Sequence, residues 1–179
     1  QTREPMYPRI ISTISLDGLK AEKIFFFSEP GIALTAIMIY DEDAKRDASP
    51  VLVLFEDGTN EIAGENELIR DLTAKGNKVL VLDVRGVGGV KVREINAHGL
   101  TEIHGTEFKG TYDSLMLGTS LLGMRTFDVL RGIDYLRTRS DLDFDQMSLY
   151  AKGQAAMYGF FASVLSPEVR NLTLEDMLY

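Results

Sequence analysis

The chain lacks cysteine altogether, which excludes disulfide bonds, thiolate catalysis and cysteine-based zinc sites. Histidine is nearly as scarce, with only His98 and His104. No apolar run approaches the roughly 18 residues of a membrane span, and nothing resembles a signal peptide. Basic residues form no run. Against 27 acidic residues stand 19 basic ones, and the net charge of −8 repels phosphate backbones, which argues against a nucleic-acid partner. Internal repeats and low-complexity segments are absent as well. What remains is ordinary for a folded domain: 45% hydrophobic and 26% charged residues over 179 positions. A chain of that size buries about 70% of its unfolded surface without covalent staples.

Residues 1–19 read as an N-terminal arm or linker, with prolines at Pro5 and Pro8, and residues 20–179 as one domain. "KIFFFSEPGIALTAIMIY" holds two β-rich runs around Pro30-Gly31, which predicts a hairpin. From Ser49 onward strands and helices alternate. "PVLVLFED", "NKVLVLDVRG", "MSLYA" and "VRNLTLEDML" read as strands. "NELIRDLTAKG" and "QAAMYGFFASVL" read as helices, as does a long apolar stripe at Leu122, Phe127, Leu130, Ile133 and Leu136. Gly86–Thr111 reads as a long irregular loop. The order predicts an α/β fold: a mostly parallel, doubly wound sheet preceded by an antiparallel N-terminal hairpin.

Ligands of such sheets bind beyond the carboxyl ends of the strands, so the turns there carry the functional signal. "RGVGGV" has Gly86 and Gly88 of a nucleotide fingerprint, but Lys91 stands where the third glycine belongs and no helix is expected to follow. "DLDFD", Asp141–Asp145, has the acidic spacing of a calcium loop, yet Gln146 and Lys152 occupy its glycine and glutamate positions. His98 and His104, with Glu94, Glu102 and Glu107 nearby, lack the tight helical spacing of a metal motif and read as surface histidines. No metal or cofactor is expected. The sharpest signal is "AKGQA", Ala151–Ala155. Overlaid on the nucleophile elbow G-x-S-x-G, it keeps small flanks but places Gly153 where the serine would stand. The same five residues also suit a plain tight connection from strand to helix.

Together, "VLVLFEDG", "VLVLDVRGVGG", "LLGMRTFDVLRGIDYLRTR", "FDQMSLYAKGQAAMYGFF" and "VRNLTLED" resemble the α/β-hydrolase superfamily, in particular the acetylxylan/cephalosporin-C esterases. They also resemble the esterase-like second domain of larger two-domain members. The family's R-G-Q motif is met by Arg85 and Gly86, with Val87 in place of Gln. Its G-x-S-Q-G is met by Gln154, with Gly153 in place of Ser, and its later H-E motif is missing. The resemblance implies an α/β-hydrolase sheet truncated at the C-terminus, whose exposed edge is covered by a second hydrolase domain or a homo-oligomer. It further implies an acetylated saccharide or another small ester as the ligand class. With the non-Met start, it points to a periplasmic or secreted setting.

On this basis the chain is expected to be an esterase-like domain of a carbohydrate-ester hydrolase, noncatalytic because position 153 is vacant. Two alternatives stay open. One is an active esterase whose catalytic residues lie outside the chain or use Lys152 with Tyr150 or Asp57. The other is a saccharide- or small-molecule-binding module walled by Glu56, Asp57, Arg85, Lys152 and Gln154. Arg85 is alternatively a structural anchor paired with Asp83 or Asp113.

Overall fold

The computed structural model describes residues 4–92 and 106–177. A seven-stranded sheet in the order β1-β2-β3-β5-β4-β6-β7 forms its centre. The strands are β1 (Arg9–Leu16), β2 (Leu19–Glu29), β3 (Ile32–Asp41), β4 (Pro50–Leu54), β5 (Lys78–Asp83), β6 (Ser148–Lys152) and β7 (Asn171–Glu175). Strands β5, β4, β6 and β7 run parallel, and β1, β2 and β3 pair antiparallel at the other side. The helices are α1 (Asn66–Ala74), α2 (Thr106–Met116), α3 (Leu121–Thr138) and α4 (Ala155–Leu165).

The apolar strands are buried on both faces, because strand alternation sends successive side chains to opposite layers. Leu52, Leu54, Leu80, Leu82, Leu149 and Ala151 join α3 and α4 in the larger core, with Phe26 stacked on Tyr135 at 5.3 Å. Val51, Val53, Phe55, Val79, Val81 and Tyr150 meet Ile69 of α1 on the opposite face. The connection β4–α1–β5 leaves β4 on one side, and the connection through α3 to β6 returns on the other. The strand order therefore reverses at β4, beyond whose carboxyl end ligands of such sheets bind.

The hairpin forms at Pro30-Gly31 as its sequence predicts, with Phe27 opposite Ala33. Two elements differ from the sequence reading. Residues 9–16, placed in the arm, form β1, and the Asp17-Gly18 turn has positive φ at both residues, the conformation of a tight two-residue hairpin. Every β1 side chain is exposed, so even Ile10, Ile14 and Leu16 mark no core-facing side of the strand. The stripe from Leu122 to Leu136 is α3, but the segment before it differs: α2 takes in residues assigned to the loop and ends at Met116. Ser120 then caps α3 by accepting the Gly123 N–H at 3.0 Å.

Candidate functional site

Register brings the ends of β4 and β6 together. Val53 lies beside Tyr150 and Leu54 beside Ala151, so the residues after β4 face those after β6. Only Gly153 and Gln154 separate β6 from α4. Gly153 is buried in the left-handed region at φ +61°, a conformation that side chains disfavour. Its N–H donates to the Glu175 carbonyl at 2.9 Å, and its carbonyl accepts the Ala156 N–H at 3.1 Å. A Cβ built on Gly153 would collide with the Glu56 carboxylate. Glu56 thus occupies the space into which a side chain at position 153 would project.

Lys152 is spoken for. Its ammonium pairs with Glu65 at 2.9 Å and with Glu175 at 3.1 Å. Hydrogen bonding to Glu65, then Glu175, raises its pKa well above the usual lysine value, so the amine stays charged at neutral pH. Tyr150 donates to Glu175 at 2.6 Å, and burial first, then that carboxylate, push its pKa up. An ammonium held between two carboxylates is a poor nucleophile and a poor base. Asp57 pairs with Lys91 at 3.3 Å, and its backbone N–H donates to Glu61. Glu56 and Gln154 are exposed, and neither side chain forms a hydrogen bond or ion pair among the described residues.

Arg85 turns to α3. Its guanidinium donates from Nε to Asp128 Oδ2 at 2.8 Å and from Nη2 to Asp128 Oδ1 at 2.6 Å, while Glu29 takes a further contact at 2.6 Å. Burial opposes its charge, but Asp128 and then Glu29 outweigh that opposition and raise its pKa. Asp128 is fully buried and also accepts from Ser28 at 2.5 Å and from the Arg85 N–H at 2.9 Å. The anchor is therefore Asp128 with Glu29, not Asp83 or Asp113. Asp113 pairs instead with Lys109 at 3.1 Å.

Asp83 entered the sequence reading only as a partner for Arg85, although an acid closing an apolar strand beside three glycines signalled a role of its own. It is buried and accepts from Thr35 Oγ1 (2.7 Å), Thr59 N–H (2.6 Å), Thr59 Oγ1 (2.8 Å) and Gly89 N–H (3.0 Å). One carboxylate thereby binds the loop after β4 to the loop after β5. Gly88, at φ +55°, lies so close that a Cβ there would strike the carboxylate. The "RGVGGV" backbone thus gives an N–H to Asp83 and opens into a short 3-10 turn at Gly88–Val90, not a helix.

The remaining motifs are dispersed. Asp141 is bound by Arg139 at 2.7 and 2.8 Å and by Lys78 at 2.7 Å, whereas Asp143 caps the turn that begins at Phe144. His98, His104, Glu94 and Glu102 lie outside the described residues, and Glu107 pairs with Arg125 at 2.6 Å. Among the described residues no group of three or more acids and histidines is placed to hold a metal. Nor is any described helix long and apolar enough to cross a membrane. A concavity of about 310 Å³ lies between α3 and the α4–β7 connection, where Arg137 pairs with both of its acidic lining residues, Asp134 and Glu168.

No family model matches the sequence. Solved structures do. A Bacteroides fragilis NCTC 9343 protein assigned as an acetyl xylan esterase aligns over 92% of this chain and 46% of its own, with TM-score 0.77 and 14% identity. The chain has the α/β-hydrolase fold. An acetyl xylan esterase from Paenibacillus sp. R4 aligns over 94% of this domain and 53% of its own chain, with TM-score 0.70 and 16% identity. A glucuronoyl esterase from Solibacter usitatus aligns over 96% and 52%, with TM-score 0.68 and 12% identity. The chain spans about half the length of these structures. At such identities the likeness is one of fold, and function rests on the site.

Proposed function

We propose that this chain is an esterase-like α/β-hydrolase domain of a carbohydrate-ester hydrolase and is itself noncatalytic. The carrying observation is Gly153: the strand-turn-helix has the layout a nucleophile elbow would take, yet its tip has no side chain and Glu56 fills the space above it. Acyl transfer needs a nucleophile, a base to deprotonate it and donors for the developing oxyanion. A carboxylate over the turn opposes that oxyanion, and Lys152 is held charged between Glu65 and Glu175. The test is hydrolysis of p-nitrophenyl acetate and acetylated xylo-oligosaccharides by the purified chain. Rates at the buffer level are expected. Turnover abolished by Lys152→Ala would overturn the proposal. Catalytic groups outside this half-length chain are the rival reading, and the same assay on the longest native form of the protein separates the two.

A second reading, a saccharide-binding crevice, is favoured by the side chains of Glu56 and Gln154 beside the turn, unpaired among the described residues. Calorimetric titration with xylo-oligosaccharides is expected to give a signal that Gln154→Ala abolishes. An unchanged isotherm removes the reading. Arg85→Ala is unsuitable for this purpose, because it strands the buried Asp128.

A further inference from the structure

We propose that Asp83 is the positioning residue that holds Glu56 over Gly153, and that it makes the loops after β4 and β5 open and close as one unit. The inference deepens the reading of a blocked turn. The Glu56 carboxylate has no hydrogen bond or ion pair among the described residues, so its backbone is what fixes it. That backbone is a corner. The Gly58 N–H donates to the Phe55 carbonyl at 3.2 Å, which leaves Glu56 and Asp57 as the central residues of a four-residue turn.

One foot of the turn stands on the core, where Phe55 is buried with its ring edge-on to Tyr150 at 6.3 Å. The other foot stands on Asp83. Its Oδ1 accepts the Thr59 N–H at 2.6 Å and its Oδ2 the Thr59 hydroxyl at 2.8 Å. A Cβ on Gly58 would strike the same carboxylate, so the chain passes directly against it.

The loop after β5 hangs on the same group. Oδ2 also accepts the Gly89 N–H at 3.0 Å and, from β3, the Thr35 hydroxyl at 2.7 Å. At the surface Lys91 pairs with Asp57 at 3.3 Å, a second tie between the two loops. Asp83 is buried and has no ionic partner among the described residues, so these four donors replace its hydration. Losing the donors of one loop admits water to the carboxylate and weakens its hold on the other, which is why the loops move together.

Amide hydrogen exchange followed by NMR tests the shared unit. Asp83→Asn keeps one acceptor oxygen, which can serve the Thr59 N–H or the Gly89 N–H but not both, since these bind opposite oxygens. Independent loops would then show one fast amide. A single unit is expected to show both amides exchanging at least about tenfold faster than in the wild type. Gly153→Ser tests the placement of Glu56, because its side chain must displace that carboxylate. The factor by which it raises the unfolding constant in urea is expected to shrink about threefold in the Asp83→Asn background, where the turn carrying Glu56 is already loose. Circular dichroism melts check folding. Thr59→Val removes one hydroxyl and keeps both backbone bonds to Asp83, and it gives the same two readings in milder form should Asp83→Asn fail to fold. Release of one amide with the other unchanged overturns the shared unit, and an undiminished Gly153→Ser factor overturns the placement of Glu56. Neither measurement involves an ester or a saccharide, so the proposed function is decided separately.

Discussion

Two buried carboxylates at the carboxyl end of the sheet solve the same problem differently. Asp128 is neutralised by the Arg85 guanidinium, whereas Asp83 is held, among the described residues, by neutral N–H and O–H donors. Removing one partner of a buried ion pair leaves an uncompensated charge, at a cost of about 3–5 kcal/mol. Arg85→Ala is therefore expected to lower unfolding stability by that amount in urea titrations. Thr59→Val takes one hydroxyl from Asp83 and leaves its other donors, so a smaller loss of about 1–2 kcal/mol is expected in the same measurement. Arg85 was legible as a strand-end residue. Its partner was not, since Asp128 lies 43 positions away within a helical stripe.

Among the elements, the β6–turn–α4 unit was the most legible, because small residues, a glycine and an abrupt change of periodicity coincide at one point. Its occupant was not, because Glu56 reaches Gly153 only through the parallel pairing of β4 with β6. Gly153→Ser must adopt the left-handed region and displace Glu56, so it is expected to fold with a loss of about 1–2 kcal/mol and to gain no esterase activity. Glu56→Ala in the Gly153→Ser background is expected to recover part of that loss. Chemical denaturation of the four-member cycle measures the coupling. Strand β1 was hidden for the opposite reason: a fully exposed edge strand needs no apolar alternation, and only Asp17-Gly18 marks its turn.

For the whole molecule, ion networks clamp both ends of the sheet and set its pH limits. At the amino end Arg139 joins Glu22 to Asp141, and Lys78 and Tyr40 complete the chain of contacts. Hydrogen bonding from Arg139, opposed by burial and aided by Lys78, holds the Asp141 carboxyl well below the usual range. A lowered folded pKa stabilises fully above the unfolded value of about 3.9 and is lost as pH falls below it. Urea midpoints are therefore expected to fall below about pH 4, and to fall less steeply in Asp141→Asn. Tyr40 is pushed up to about 12, by burial first and then by Glu22. Its contribution is intact below about pH 10 and disappears as pH climbs toward the folded value, a loss that Tyr40→Phe is expected to remove.

The sequence by itself determined the alternation of strands and helices, the Pro30-Gly31 hairpin and the vacancy at position 153. These are local matters of periodicity, turn chemistry and residue identity, readable within a few neighbours. Only the tertiary structure decided what surrounds that vacancy. Strand order placed β4 between β5 and β6, which set Glu56 over Gly153 and gave Lys152 to Glu65 and Glu175. Helix packing gave Arg85 to Asp128. Partnerships of charged groups are settled by which strand ends and helix faces meet in space, and that depends on sheet order, which local sequence does not encode.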